Sequence, residues 1–410
     1  MSAPRVVVTG VGLATALGAD REESWRRLLA GECGIRPTMV VSPEGFRSKV
    51  AAEVPMAGID ATLTPLEQRR LSRADRIGVH AAAEAIDDAG FMDGQVDLRR
   101  VGIFLGAGTS DLLRNERFYE TWRNEGIEHT RPSDVWNHFS STSVDVIAHR
   151  FGFEGPRRCV IAACSSSTIA IGMAIDAIRL GRVDVAITGG TDALARLTYS
   201  GFNQLKLMDP MPCRPFDRSR AGMNIGEGAG ILVLESLKHA TRRGASIYAE
   251  MPGYALGCEA YHPTAPEPEG KPIVAIVSAA LADAGLDLSS VNHVNAHGTA
   301  TSQNDLAESR ALRRLFGGRL AAVPVTSIKS MVGHCLGAAG GVEAAVLVLT
   351  IARSVIPPTI HHTETDPECG VQIVANQARE QAVRCGVSTS LAFGGNDSAI
   401  VVTAFDGARV

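Results

Sequence analysis

The sequence predicts an α/β fold made of two similar halves, residues 1–244 and 245–410, stacked with their strand ends facing one centre. Short β-branched runs alternate with longer apolar or amphipathic stretches along the chain, which is typical of strands alternating with helices. A strand, a turn with reactive side chains and an apolar helix occur in succession around Cys164 and again over 323–353. This repeated pattern indicates an internal duplication.

Size and composition indicate a globular protein. The chain has 410 residues, of which 20% are charged, and a formal net charge of -4, which gives no reason to expect binding to nucleic acid. We expect no signal segment, and the longest apolar run, 344–352, is too short to span a membrane and predicts a core helix. Eight cysteines without paired spacing predict a reduced, cytoplasmic setting and no metal site.

The individual elements follow from hydrophobic runs and their turn residues. Strands are predicted at 5–9, 101–105, 160–163, 183–188, 231–234, 247–254, 291–295, 323–328 and 398–403. Helices are predicted at 22–30, 69–89, 169–180, 272–284, 305–316 and 340–353. Two glycine clusters, beginning at Gly10 and Gly106, fail the dinucleotide-binding pattern because Thr15 and Asp111 stand where the third glycine is required. We expect these glycines to allow turns or close packing at strand ends.

Cys164 lies at the turn between a buried strand and a buried helix. The N-terminal end of a helix offers free N–H groups and partial positive charge, which favour a thiolate over a thiol. This position therefore predicts a nucleophile. A buried structural cysteine is the alternative, since free cysteine is among the most buried residue types.

Three other stretches place reactive side chains where a strand gives way to a glycine-rich turn. A single histidine there is more often a satisfied core residue, and a single lysine is usually a solvated charge. The set as a whole predicts an active site, because the active sites of open α/β proteins lie at the carboxyl ends of strands. The residues are His297, Thr299, Thr301, Lys329, His334, Phe393, Gly394 and Gly395.

This combination of residue types limits the chemistry. A Cys–His pair alone would predict a thiol protease or a transferase. Two histidines and a lysine around a thiolate, without metal spacing, instead suit a site that holds negative charge arising on a substrate oxygen. Each preorganised donor lowers such a barrier by about 3 to 4 kcal/mol. Carbon–carbon bond formation between thioesters requires this kind of stabilisation.

The motifs resemble those of the β-ketoacyl-[acyl-carrier-protein] synthases of the elongating, type II class, in the thiolase superfamily. The resemblance covers essentially the full length, through R-V-V-V-T-G-V-G, A-C-S-S-S, N-I-G-E-G-A-G-I-L-V-L-E, N-A-H-G-T, I-K-S-M-V-G-H-C-L-G-A-A-G-G, V-I-P-P-T and F-G-G. It implies a thiolase-like αβαβα layered fold and a dimer formed across the strands near Cys159. It also implies no prosthetic group of the chain's own, because an acyl carrier protein supplies the phosphopantetheine arm.

The resemblance implies a two-step reaction. Cys164 would take an acyl chain from a carrier-protein thioester, with the backbone N–H groups of Cys164 and Phe393 as the oxyanion hole. Decarboxylation of malonyl-carrier protein would leave an enolate held by His297 and His334. The carbanion would then attack the acyl-Cys164 thioester.

Other residues receive supporting roles from the same resemblance. Lys329 would organise the electrostatics of the site, Glu308 would pair with it, and Asp305 would brace the loop. Thr299 and Thr301 match the threonines that hold the phosphopantetheine arm.

The chain also departs from the family pattern. The usual Gly-Phe-Gly-Gly-Thr-Asn reads Ala392 to Asp397 here, so we expect the gate formed by Phe393 to be stiffer and differently bonded. Phe202 matches a phenylalanine that lines the acyl pocket. Thr109 stands where the family often has a bulky aliphatic pocket residue, which suggests a pocket for longer, unsaturated or polar chains, as in polyene or other type II polyketide systems.

Arg69, Arg70 and Arg73 stand where the family often presents a basic face to acidic carrier proteins. A solvated helix face is the alternative interpretation.

Two rival functions remain at this stage. A non-condensing chain-length partner in a ketosynthase heterodimer would normally lack the nucleophile, which Cys164 provides. A thiolase or acyltransferase acting on coenzyme A would usually carry a second cysteine near the C-terminal glycine motif, where Phe393, Gly394 and Gly395 stand. The sequence leaves open a homodimer or a heterodimer, and fatty acid or polyketide biosynthesis.

Overall fold

The computed structural model describes residues 4–90, 94, 96–109, 112–131 and 141–407. The strands are β1 (Val6–Ala14), β2 (Ile35–Pro37), β3 (Val50–Ala52), β4 (Val101–Gly106), β5 (Arg157–Val160), β6 (Val185–Asp192), β7 (Gly228–Ser236), β8 (Ala249–Cys258), β9 (His293–Asn295), β10 (Val325–Thr326), β11 (Val355–Ile356), β12 (Arg379–Glu380), β13 (Cys385–Ser390) and β14 (Asn396–Thr403). The α-helices are Arg21–Leu29, Met56–Asp60, Pro65–Arg70, Arg73–Ala89, Leu112–Glu125, Thr142–Phe151, Ser166–Arg179, Arg196–Gln204, Leu237–Arg243, Lys271–Asp283, Ser302–Phe316, Lys329–Val332 and Ala339–Arg353.

The strand order shows the duplication directly. Ten strands hydrogen-bond in the order β10-β9-β13-β14-β8-β1-β7-β6-β4-β5. From β1 outward, two antiparallel pairings are followed by two parallel ones, and the same succession runs from β8 outward in the other direction. The two halves meet where β1 pairs antiparallel with β8, with Val7 opposite Glu250. The predicted duplicated α/β architecture is therefore confirmed.

Helices complete five layers around the two halves of the sheet. Ser166–Arg179 and Ala339–Arg353 lie side by side in the central layer, in contact with strands of both halves. Arg73–Ala89 covers the outer face of the first half, and Lys271–Asp283 covers that of the second. This arrangement confirms the αβαβα layering. The proposed boundary at 244/245 falls between the helix Leu237–Arg243 and β8 and stays a prediction.

The central layer contains a long, apolar helical stretch. Leu336–Arg353 is long and apolar enough to cross a membrane, yet 89% of it is buried inside the protein. Its apolar side chains pack against the core between the two halves of the sheet. The stretch is thus a core helix, as expected.

Three predicted elements differ from the structure. The buried strand expected over 160–163 ends at Val160 and is only partly buried, because β5 lies at the edge of the sheet. Gly10 lies within β1 rather than in a turn after it. It allows the close packing that was the alternative expectation, because a Cβ there would approach the carbonyl oxygen of Ala85 to 2.1 Å. The helix expected over 69–89 is broken, because Ser72 caps a new helix and forms a capping box with Asp75.

Candidate active site

Cys164 lies between β5 and the helix Ser166–Arg179. The turn before it is sharp, because Ala163 adopts a left-handed conformation with φ 48. The Cys164 side chain is buried. The hydroxyl of Ser165 is 2.9 Å from the carbonyl oxygen of Ser390, and this contact ties the turn to the second half of the chain.

Three reactive side chains from distant parts of the chain meet at this point. Sγ of Cys164 is 3.0 Å from Nε2 of His334. The rings of His297 and His334 lie edge to face, with centroids 5.3 Å apart. The sulfur and one nitrogen of each ring all lie within 4.8 Å of one another. One molecule bound there would contact all three groups.

These side chains open into a cavity of about 500 Å³. Its wall contains seven of the residues that the sequence predicts for the site, namely Cys164, Phe202, His297, Thr299, Thr301, His334 and Phe393. It also contains charged or titratable residues that the sequence analysis missed, namely Lys206, Arg220, Glu259, His262 and Asp397.

Lys329 is fully buried behind His297. Its Nζ donates to the backbone oxygen of His297 at 2.6 Å and lies 3.5 Å from the ring Nδ1. The carboxylate that pairs with Lys329 is Glu343, so the prediction that Glu308 pairs with it is wrong. Glu343 was missed, although a single acidic residue within an apolar, buried helix signals a buried partner.

Glu308 holds the loop that carries His297. Its carboxylate accepts hydrogen bonds from the backbone N–H groups of His297 at 2.8 Å and Gly298 at 2.9 Å, and from the Thr389 hydroxyl at 2.7 Å. Asp305 accepts from the backbone N–H of Ala300 at 3.1 Å, which agrees with a bracing role. Both carboxylates therefore hold the backbone of the loop over residues 297–300 in place.

Burial keeps both imidazoles neutral. The pKa values of His297 and His334 lie well below their usual value, because burial disfavours the imidazolium and the Lys329 ammonium repels a second positive charge. Since the Lys329 ammonium faces Nδ1 of His297, that nitrogen accepts and Nε2 carries the proton. His297 thus presents an N–H donor.

Burial also keeps the Cys164 side chain protonated, whereas the sequence led us to expect a thiolate. It raises the pKa of the thiol to about 12, and the nearby Lys329 ammonium only partly offsets this. A helix N-terminus stabilises an adjacent anion by at most about 2 kcal/mol, which lowers a pKa by about 1.5. The resting side chain is therefore a thiol, and its proton must leave during the reaction.

Phe393 approaches Cys164 from the second half of the chain. Its backbone N–H is directed at the Cys164 sulfur. Its ring packs against Phe202 with centroids 5.5 Å apart. Among the polar residues of the wall, the Thr299 and Thr301 hydroxyls are 2.8 Å apart.

Thr109 does not line this cavity, contrary to our expectation. Its hydroxyl is 2.6 Å from a carboxylate oxygen of Asp192 and 2.7 Å from the backbone oxygen of Ala193. The same Asp192 carboxylate accepts from the backbone N–H of Gly337 at 2.8 Å. The polar atom of Thr109 therefore serves the protein framework and is not available to contact an acyl chain.

Arg69 and Arg73, two of the three predicted carrier-binding arginines, lie in the wall of a second, strongly basic cavity of about 540 Å³. Arg69 and Arg70 are exposed. Arg73 pairs with the buried Glu227, which neutralises its charge, so its predicted role in carrier contact is wrong. The arginines in the wall of this cavity are Arg69, Arg73, Arg76, Arg114, Arg117 and Arg131.

The sulfur and the two imidazoles also satisfy the distances of a metal site. Zinc accepts such soft and imidazole ligands. The Lys329 ammonium, however, already faces the other nitrogen of His297, so a metal ion would be placed beside a fixed positive charge. This charge favours an anion at the site.

Comparisons with known proteins agree with this geometry. The family model described as "Beta-ketoacyl synthase, N-terminal domain" matches residues 3–240, and "Beta-ketoacyl synthase, C-terminal domain" matches residues 248–363. The chain is 36% identical over 408 residues to 3-oxoacyl-[acyl-carrier-protein] synthase 2 of Staphylococcus aureus (strain COL), covering 98% of this chain and 99% of that protein.

Two solved structures are similar over nearly their whole length. The structure described as "The ishigamide ketosynthase/chain length factor" is 36% identical with a TM-score of 0.94, covering 99% of this chain and 100% of that one. A second, a type II PKS acyl-carrier protein in complex with its ketosynthase bound to the hexaketide (AntDE:AntF), is 30% identical with a TM-score of 0.91 and covers the same shares.

Proposed function

Because this chain belongs to the beta-ketoacyl synthase family of condensing acyltransferases, we propose that it joins an acyl group held on Cys164 to malonyl-carrier protein. The observation that carries this proposal is the convergence of the Cys164 sulfur and the His297 and His334 rings in one cavity. The sulfur is the nucleophile that the first half-reaction requires. The two neutral imidazoles can hold the enolate that forms in the second.

In the first half-reaction, the Cys164 sulfur attacks the thioester carbon of an acyl-carrier protein. Nε2 of His334, 3.0 Å from the sulfur, is the nearest described group that can take the thiol proton. The backbone N–H groups of Cys164 and Phe393 hold the oxyanion of the tetrahedral intermediate. The carrier thiolate leaves, regains the proton and departs, and the acyl chain stays on Cys164.

In the second half-reaction, malonyl-carrier protein enters the emptied cavity. Loss of carbon dioxide leaves the electron pair as an enolate, whose oxygen accepts from Nε2–H of His297 and from His334. The His334 proton lies on Nε2 once Cys164 is acylated and no longer donates to that nitrogen. The enolate carbon attacks the acyl-Cys164 carbonyl, the C–S bond breaks, and the β-ketoacyl-carrier protein is released. The Cys164 thiolate then takes a proton from solvent and returns to the resting thiol. Thr299 and Thr301 contact the phosphopantetheine arm, which the carrier supplies, and Phe202 contacts the acyl chain.

The basic cavity supplies a docking surface for an acidic carrier protein. Arg69 is an exposed residue of its wall, and the adjacent Arg70 is also exposed. Glu116, on the helix that forms one wall of this cavity, accepts from the backbone N–H of Leu197 at 2.7 Å. Because Leu197 lies in the first turn of the helix that carries Phe202, the basic surface is joined directly to the active-site wall.

The edge strand β5 supplies a surface for a second chain. β5 ends the ten-strand order, and among the described residues its outer edge has no strand partner. Antiparallel pairing of two such edges through Cys159 would continue the sheet into a dimer. Both a homodimer and a heterodimer with a related ketosynthase-like chain fit this edge. All eight cysteines, each in a described segment, are free, which supports a reduced, cytoplasmic setting.

A reconstituted assay tests the proposal against its rivals. We expect a β-ketoacyl-carrier protein from an acyl-carrier protein and malonyl-carrier protein, with loss of product after alkylation of Cys164. A non-condensing chain-length partner would give no product alone and would be unaffected by alkylation. A thiolase-type enzyme would accept acetyl-coenzyme A in place of malonyl-carrier protein. Mass spectrometry of the products also identifies chain length and saturation, and thus tests the polyene hypothesis.

A further inference from the structure

Two acidic side chains are in contact beneath the loop that carries Phe393. Asp397 lies at the start of β14 and is 2% exposed, and Glu259 directly follows β8. One oxygen of each accepts a backbone N–H, from Ala392 for Asp397 and from Glu267 for Glu259. The other oxygens, Oδ2 of Asp397 and Oε1 of Glu259, are buried without a partner among the described residues.

The two carboxyl groups are close enough to hydrogen-bond to each other. Two carboxylates have only acceptors, so such a bond requires that one of them keeps its proton. Burial, the negative charge of Glu259 and the more distant Glu308 all favour the protonated form and raise the pKa of Asp397 to about 8. A shared proton gives both unpartnered oxygens a partner.

The other charged groups nearby do not neutralise this pair. His262, in the same loop as Glu259, directs its Nδ1 at backbone N–H groups of that loop and not at either acid. Within the described segments, neither acid forms an ion pair with a basic side chain. The cations and imidazoles that share the cavity wall are Lys206, Arg220, His297 and His334.

The acid pair lies where two loops meet. We call residues 392–395 the gate loop and residues 259–267 the facing loop. The Gly394 N–H donates to the backbone oxygen of Pro263 at 2.8 Å, and the Glu259 N–H donates to that of Gly395 at 2.9 Å. In this position the gate loop directs the Phe393 N–H at Cys164.

We propose that Glu259 and Asp397 share one proton, and that this proton holds the gate loop closed over Cys164. When the proton leaves, two adjacent carboxylates repel, the gate loop separates from the facing loop, and the Phe393 N–H moves away from the sulfur. The gating role rests on the proposed function, whereas the proton-dependent contact between the loops does not.

Hydrogen–deuterium exchange of the gate loop tests the shared proton without an activity assay. Exchange of the Gly394 and Gly395 amides is measured at about pH 6 and about pH 9 and corrected for the intrinsic effect of pH on amide exchange. We expect protection in the unaltered enzyme to fall by about tenfold at the higher pH. The loss of one hydrogen bond between the gate loop and the facing loop changes the exchange rate by about that factor.

The variant D397N is the matched control, because its amide donates to the Glu259 carboxylate at either pH. We expect its protection to stay constant, and E259Q to behave in the same way. Equal loss of protection in the unaltered enzyme and D397N would overturn the proposal, as would protection in the unaltered enzyme that does not change with pH. Protection that a chelator removes at about pH 6 would also overturn it, because a bound cation would then replace the proton.

The rate of Cys164 acylation supplies a second readout. The ratio of the unaltered enzyme's rate to that of D397N should fall as pH rises, since thiol deprotonation affects both enzymes equally and cancels. A constant ratio together with pH-dependent exchange would contradict the gating role and leave the proposed condensation intact.

Discussion

Nζ of Lys329 lies 3.5 Å from Nδ1 of His297, and this contact sets which ring nitrogen carries the proton. It places an N–H donor on the cavity side and a fixed positive charge behind it. The same charge repels protonation of both active-site imidazoles.

Replacing Lys329 with methionine should move the acid limb of decarboxylation to higher pH. The charge that lowers the pKa values of His297 and His334 is then absent, so both imidazoles protonate at a higher pH than in the unaltered enzyme. We also expect the maximal rate to fall by about tenfold to a hundredfold, because the His297 tautomer is no longer fixed. The pH–rate profile of malonyl-carrier decarboxylation measures both effects.

The buried Glu343 should allow the K329M variant to fold. Burial raises the pKa of its carboxyl to about 7, and this pKa rises further once Lys329 is absent, so the acid becomes neutral rather than a buried lone charge. The variant E343Q, which keeps Lys329, is the control and should shift the acid limb much less. An unchanged acid limb in K329M would show that Lys329 does not set the imidazole charge.

Removing the Glu308 side chain should destabilise the fold as well as the site. E308A leaves the backbone N–H groups of His297 and Gly298 and the Thr389 hydroxyl without their acceptor. Each unsatisfied buried group costs about 1–3 kcal/mol, so the free energy of unfolding should fall by at least about 2 kcal/mol. Urea denaturation measures the change, and E308Q should lose less because it keeps an acceptor oxygen. Equal midpoints for E308A and the unaltered enzyme would contradict this account.

Reversing the charge of Arg69 and Arg70 together should weaken carrier-protein binding. We expect the KM for acyl-carrier protein to rise by about tenfold at low salt, with the rate on a small pantetheine thioester unchanged, because only steering is affected. The exposed Lys238, outside both cavities, provides the control variant K238E. Equal KM values for the reversed pair and K238E would exclude this surface.

Arg73 should behave differently from its neighbours. R73A leaves the buried carboxylate of Glu227 unpaired and should lower the free energy of unfolding by about 3–5 kcal/mol. Thermal unfolding of R73A measures this. A variant of unchanged stability with weakened carrier binding would restore Arg73 to the docking surface.

Treatment with a chelator should leave condensation unchanged, because the fixed Lys329 charge disfavours a cation beside His297. Activity is measured before and after dialysis against the chelator. Loss of activity that zinc restores would contradict a site that uses the bare Cys164, His297 and His334 side chains.

The sequence was informative where chemistry depends on local pattern. The apolar run before Cys164 and the apolar helix after it are local features, so its place at the start of a helix was predictable. The duplicated order of strands also follows from the repeated pattern. The partner of Lys329 was not predictable in this way, because Glu343 reaches it from a helix that the pattern describes only as buried.

Several errors share the same physical cause, which is three-dimensional environment. The helix N-terminus favours a thiolate at Cys164, but burial outweighs it. Arg73 looks like an exposed surface charge in the sequence, yet Glu227, 154 residues away, pairs with it. The hydroxyl of Thr109 is likewise bonded to Asp192 from a neighbouring strand. None of these contacts corresponds to a sequence motif with a fixed spacing between the two residues.

The most direct test of the account separates the two half-reactions in three variants, C164A, H297A and H334A. Acylation is followed by mass spectrometry of the protein, and decarboxylation by release of carbon dioxide from malonyl-carrier protein. The account predicts that C164A decarboxylates without condensing, whereas H297A is acylated on Cys164 but decarboxylates at least about a hundredfold more slowly, as H334A also does. Decarboxylation at the unaltered rate in both histidine variants would contradict the account that the two imidazoles hold the enolate in the cavity beside Cys164.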